Sequence, residues 1–141
     1  MIDQRRVAEV GTALFRVVIG LLFTLHGASS VFGIFGGNRG SGHAVPFAEW
    51  PSWWAALIQL AGGLLVLSGM ATRAAALICS GSMAYAYFVV HQPQSLLPLT
   101  NGGELAALFC WSFLLIAAIG PGTWSVDGLM ARRASTEPTA A

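Results

Sequence analysis

Four stretches of the chain are apolar almost without interruption, and polar residues gather between them. They run from about Val10 to Phe32, Trp53 to Met70, Arg73 to His91 and Gly103 to Gly120. A helix needs about 20 mostly apolar residues to cross roughly 30 Å of hydrocarbon. Each stretch lies near the lower end of that range, so modest tilt is expected rather than spare length. The pattern predicts an all-α integral membrane protein, a four-transmembrane-helix bundle over residues 10–130. A short cytoplasmic segment, 1–9, precedes it, and a tail over 131–141, with Ser135, Thr136, Pro138 and Thr139, reads as disordered. Spans two and three are joined only by Ala71-Thr72 and form a tight antiparallel hairpin. The longer connections, about Gly33–Ser52 and Gln92–Gly102, lie on the other side.

Composition sharpens this picture. Hydrophobic residues make up 55% of the 141 and charged residues 9%, against about 25% in ordinary soluble domains. So few charges could not cover a water-exposed surface, and a net charge of +1 gives no reason to expect nucleic acid. All the cations are arginine. Arg5, Arg6, Arg73, Arg132 and Arg133 fall on one side if the spans alternate, with Arg16 near it and Arg39 on the other. By the positive-inside rule both termini are cytoplasmic, in a protein that crosses its membrane several times. Trp50, Trp53 and Trp54 suit an outer aromatic belt and Trp124 an inner one. The first span is too long, and carries Arg16, for a cleaved signal peptide. Small residues recur at spacing seven, Gly20 and Gly27, Gly62 and Gly69, Ala74 and Gly81, as in closely packed membrane helices.

Polar groups inside a membrane are costly, so each asks for a reason. By depth, His26, Gln59, Tyr85, His91 and Glu104 converge on the outer half of the bundle, where facing helices could build a small-ligand site. Each also has a plain structural explanation. Glu104 could complete a cap with Asn101, His91 could close a helix end, His26 could bond a carbonyl or Gln59, and Tyr85 could be a packed ring. Arg16 either snorkels toward head groups or pairs with Asp127 or Glu9. Cys79 and Cys110 are expected about 10 Å apart in depth, as unbridged core thiols. The glycine-rich loop Gly36–Gly42 lacks the ending of a phosphate loop and reads as flexible. Catalytic residues are not assigned, and no metal site is expected; two histidines alone are a weak ligand set.

The order and spacing of several features resemble the DoxX family of small bacterial membrane proteins. They are Arg16, Gly20 and His26-Gly27 on the first span, then Gly62-Gly63, Gly69 and Thr72-Arg73, then His91 and Gly103-Glu104. The last is the ending Gly120-Pro121-Gly122-Thr123-Trp124-Ser125-Val126-Asp127. The resemblance covers about residues 11–128. Two positions depart from it: Ser30 stands where relatives often carry lysine, and Gln59 where they commonly carry glutamate. Glutamine cannot take a proton but can hydrogen-bond a quinone carbonyl. The resemblance implies a four-helix fold tied to quinone or sulfur chemistry and to oxidative-stress complexes, with quinone as the cofactor it suggests.

Three functions follow. The chain could be a membrane subunit of a redox system, with His26 bonding one carbonyl of a quinone, Glu104 or His91 relaying a proton, and Phe88 and Trp111 walling the ring. It could be a non-catalytic assembly or anchoring subunit that packs against other membrane or redox proteins or its own copies. It could, third, be a small oligomeric transporter. In all three the first partner is the lipid bilayer.

Overall fold

The computed structural model describes residues 3–136, and among them every regular element is helical. α1 spans Gln4–Phe32, α2 Ser52–Ser68 and α3 Thr72–His91. A single turn, α4, covers Pro98–Asn101, and α5 (Glu104–Ile119) and α6 (Val126–Thr136) follow. α1 and α3 are long and apolar enough to cross a membrane; α2 and α5, of 17 and 16 residues, are shorter and equally apolar. The tail differs from expectation, since α6 carries helix through Thr136. Ser125 explains it, accepting the Gly128 N–H at 3.1 Å as an N-terminal cap. The rest of the expected tail lies outside the described residues.

Local chemistry sets the helix ends. Asp3 caps α1 by accepting the Arg5 N–H at 3.0 Å, and Gly33, at φ 70°, closes it. α2 ends in a Schellman turn at Gly69, with N–H bonds from Gly69 to Val66 O and from Met70 to Leu65 O. α3 is α-helical to Tyr85 and π-helical from Ala86 to His91, where Gln92 N–H reaches back five residues to Tyr87 O at 2.8 Å.

The bundle is built from two close pairs, α1 on α2 and α3 on α5, joined by the α2–α3 hairpin. In the first pair, glycine does the fitting. A Cβ on Gly20 would lie 2.6 Å from Leu67 N, one on Gly27 2.2 Å from Leu60 N, and one on Gly63 2.6 Å from Thr24 N. The spacing-seven stripe is thus real on α1, but Gly81 faces open space and Gly69 serves as a cap. Between the pairs lies a core of Phe23, Phe109, Phe113, Val66, Cys79, Met83 and Ile116. Phe23 meets Phe113 edge-on at 4.6 Å and Phe109 at 5.1 Å. Much of the outward surface is apolar: Leu14, Val18, Leu64, Leu77, Ile78, Leu108, Trp111 and Leu115 are all exposed. Soluble monomers rarely expose contiguous apolar patches beyond a few hundred Å².

Three side chains lock one end of the bundle by capping helices other than their own. Arg16, with no exposed surface, donates to Val66 O at 2.8 Å, Leu67 O at 2.7 Å and Trp124 O at 3.0 Å. Arg73 donates to Ala117 O at 2.6 Å and Ala118 O at 2.9 Å. Asp127 accepts the Ala71 and Thr72 N–H groups and the Thr72 hydroxyl, at 2.8–2.9 Å. Cations therefore meet the carbonyl ends of α2 and α5, and an anion meets the amide end of α3, as the helix dipole favours. The direct ion pair expected between Arg16 and Asp127 is replaced by this arrangement. The fork of Arg16 is occupied by carbonyls and the carboxylate by amides. Burial would raise the Asp127 pKa, but the Thr72 and Ala71 hydrogen bonds and the nearby Arg16 charge outweigh it and hold the carboxyl below its usual range.

The cysteines are free, and Cys79 is buried. Ser80 Oγ donates to Cys110 O at 2.9 Å, so Cys110 lies level with the residue after Cys79. The expected 10 Å separation in depth fails because α5 is shorter than the slab from which it was reckoned.

Candidate functional site

The opposite end of the bundle is open. Above the Phe23–Phe109 contact, α1, α2, α3 and α5 line a half-open cavity of about 840 Å³, with His26 and Tyr85 exposed and the loop after α1 forming part of its rim. That volume falls in the range of about 300–1,000 Å³ typical of small-ligand sites. Four of the five expected residues line it: His26, Gln59, Tyr85 and His91. Glu104 does not; it is exposed in the first turn of α5, outside the lining. Asn101 accepts the Gly103 N–H at 2.7 Å in the turn before α5, and among the described residues no side chain caps that helix. The expected ring walls also move. Phe88 and Trp111 are 59% and 70% exposed and lie outside the lining, and Phe23, Met83, Ala106 and Phe109 form the apolar floor.

Each lining side chain is placed by an identifiable contact. Gly27 lets α2 approach to the backbone of Gln59 and Leu60, which carries Gln59 beside the turn holding His26. The His26 ring meets Phe109 edge-on at 5.9 Å. No hydrogen bond among the described residues engages the His26 imidazole, the Gln59 amide or the Tyr85 hydroxyl, so their donors and acceptors stay free for a ligand. His91 is fixed instead: its Nδ1 lies 3.0 Å from Asn101 O. A carbonyl only accepts, so Nδ1 donates, and in neutral imidazole Nε2 is left as the acceptor. Asn101 is buried and tied down by Nδ2 to Ser95 O at 2.8 Å.

Two features of the site carry no clear mark in the sequence. One is the π-helical turn Ala86–His91, which sets the wall of the cavity between Tyr85 and His91; such turns are frequent at functional sites. The other is the glycine-rich loop, which is folded rather than slack. Gly42 N–H bonds Gly36 O, Asn38 N–H bonds His43 O, and Ser29 Oγ ties Gly37 O at 2.7 Å. Gly37 has φ 72°, and a Cβ there would sit 2.4 Å from His43 N. This loop brings Arg39 into the cavity rim. Its glycines were the available signal, read for freedom when they serve a tight fold.

The sequence model of the DoxX family matches residues 11–92. An uncharacterized protein of Haemophilus influenzae is 34% identical over 122 residues, covering 82% of this chain and 87% of its own. Inner membrane protein YqjF of Escherichia coli is 26% identical over 135 residues, 92% of this chain and 99% of its own. "Putative oxidoreductase CatD" of Bacillus subtilis is 38% identical over 65 residues, 46% of this chain and 48% of its own. No solved structure matches. The extent of the family match and the identity to the Haemophilus protein place this chain in the DoxX family.

Proposed function

We propose that this chain is a bacterial inner-membrane subunit of a redox system, and that its cavity docks a quinone head group. In this reading α1, α2, α3 and α5 all span the bilayer, with both termini cytoplasmic and the cavity in the outer half. The observation that carries it is the cavity itself, which pairs unengaged donors with an apolar floor. The names of the Escherichia coli and Bacillus subtilis relatives, an inner membrane protein and an oxidoreductase, support location and chemistry. The arginines that cap α2 and α5 sit on the side the positive-inside rule makes cytoplasmic.

A quinone supplies a two-electron, two-proton couple, and its ring needs donors at two carbonyls and flat apolar walls. His26 and either the Gln59 amide or the Tyr85 hydroxyl provide the donors; Phe23, Met83 and Phe109 provide the walls. His91, held by Asn101 in the tautomer with a free Nε2, presents a hydrogen-bond acceptor to the cavity, and Glu104 lies outside the lining.

The test is purification in mild detergent with mass spectrometry of retained lipids and proteins. Quinone kept by the wild type and lost in His26→Ala is the expected result. Absence of quinone, with stoichiometric recovery of a larger membrane complex that survives His26→Ala, would replace this reading with an assembly or anchoring role.

A further inference from the structure

The cavity has an electrostatic asymmetry that a neutral quinone does not use. Its lining holds one permanent cation, Arg39, and two imidazoles, His26 and His91, and no aspartate or glutamate among the described residues. Arg39 is exposed, and no hydrogen bond or ion pair among the described residues engages its guanidinium. The residue sits in the left-handed region at φ 52°, ψ 32°, which a side chain with a Cβ rarely adopts. The loop enforces it through the Asn38–His43 and Gly42–Gly36 bonds and the Ser29 tether. Strain held in this way at the mouth of a cavity suits a ligand contact.

The floor has the opposite character, being built by Phe23, Met83, Ala106 and Phe109. Leu22, Leu25 and Leu105 both line the cavity and are exposed on the outer apolar surface. They make a continuous path along which an apolar chain can enter from a bilayer. A cavity of about 840 Å³ is far larger than a small inorganic anion requires, and its floor offers such an ion nothing.

We infer that the cavity binds a single-chain acidic amphiphile, its head group at Arg39 and its chain on the Phe23–Phe109 floor. The inference rests on the proposed function only in taking this cavity as the ligand site; it does not require a quinone.

Native mass spectrometry tests it. The protein, released from a neutral detergent, is presented with equal amounts of oleate, oleyl alcohol and dioleoylphosphatidylglycerol. The wild type should retain one oleate, undisplaced by excess inorganic phosphate. Arg39→Gln should lower oleate retention about 10- to 100-fold, the range for loss of one charge-assisted hydrogen bond, and leave the alcohol unchanged. Ala106→Phe, which fills the floor, and independently Ala55→Phe, which fills the cavity from the first turn of α2, should exclude oleate. Equal oleate retention in Arg39→Gln overturns the inference. So does displacement by phosphate, or phosphatidylglycerol as the species whose retention depends on Arg39. If both phenylalanine variants fold and keep oleate, the cavity is not the ligand site, and the quinone reading falls with it. If they lose oleate while Arg39→Gln does not, the inference falls and the cavity remains the ligand site.

Discussion

Arg16→Met tests whether the closed end of the bundle is held by capping in trans. The guanidinium has no exposed surface and reaches three carbonyls, on Val66, Leu67 and Trp124. Methionine keeps most of the apolar stem and removes every donor. Val66 O retains the Gly69 N–H at 3.1 Å, so Leu67 and Trp124 bear the loss. An unsatisfied buried carbonyl costs about 1–3 kcal/mol, and removing a cation from a helix carboxyl end costs roughly 0.3–2 kcal/mol more. Against this, the guanidinium is no longer desolvated, and its Nε, buried without a partner, disappears. The net loss should be about 2–5 kcal/mol, the two carbonyl penalties and the helix-end term less the relief of desolvation. Lysine should fall between the two, since an ammonium lacks the planar fork that serves two segments at once. The assay is equilibrium unfolding in mild detergent, followed by tryptophan fluorescence, with hydrogen exchange across Gly120–Asp127. Stability within about 1 kcal/mol of wild type, the scale of an ordinary mutation, with unchanged exchange in that segment, would refute the capping argument.

Further predictions concern the same interfaces. Asp127→Asn keeps one acceptor but loses the second oxygen and the charge at the amide end of α3, and should lower stability by about 0.3–1 kcal/mol. Because its pKa is depressed in the fold, the wild-type contribution is complete above the unfolded value of about 3.9 and lost as pH falls through the folded one. Melting temperatures from pH 6 to pH 3 should therefore drop for the wild type and stay nearly flat for Asp127→Asn. Gly27→Ala should cost about 1–3 kcal/mol by overpacking, because its Cβ meets backbone rather than side chain. Gly81→Ala, with open space around it, should be neutral or gain up to about 1 kcal/mol from helix propensity; thermal unfolding of the pair checks both.

The fold was legible in the sequence where it depends on hydrophobic period and turn chemistry. The ends expected for the apolar stretches lie near those of α1, α2 and α5, where Gly33, Gly69 and Gly120 stop helices by rules that act within a few residues, but α1 begins at Gln4, well before the expected Val10. The site was legible only by depth. Counting along each helix placed His26, Gln59, Tyr85 and His91 in the outer half, but it could not say which way each points. Glu104, Phe88 and Trp111 were misplaced for that reason. Three of the errors share a second cause, since a side chain's partner can come from another segment. Asp127 finds the start of α3 instead of Arg16, Cys110 meets Ser80, and the glycine loop folds on Ser29. The π turn at Ala86–His91 depends on how α3 meets α4 and α5, and no local pattern announces it.

The capping in trans also bears on why α2 and α5 can be so short. At about 1.5 Å per residue their 17 and 16 residues reach roughly 24–26 Å, below the hydrocarbon thickness of about 30 Å. In the four-span reading, the carbonyl ends of both helices stop where water is scarce, and each would leave acceptors unsatisfied. Arg16 and Arg73 bring donors to those ends from neighbouring helices, so a short helix can terminate inside the slab. The short helices α2 and α5 thus end on cations carried by α1 and α3, so neither has to reach the interface to satisfy its last carbonyls.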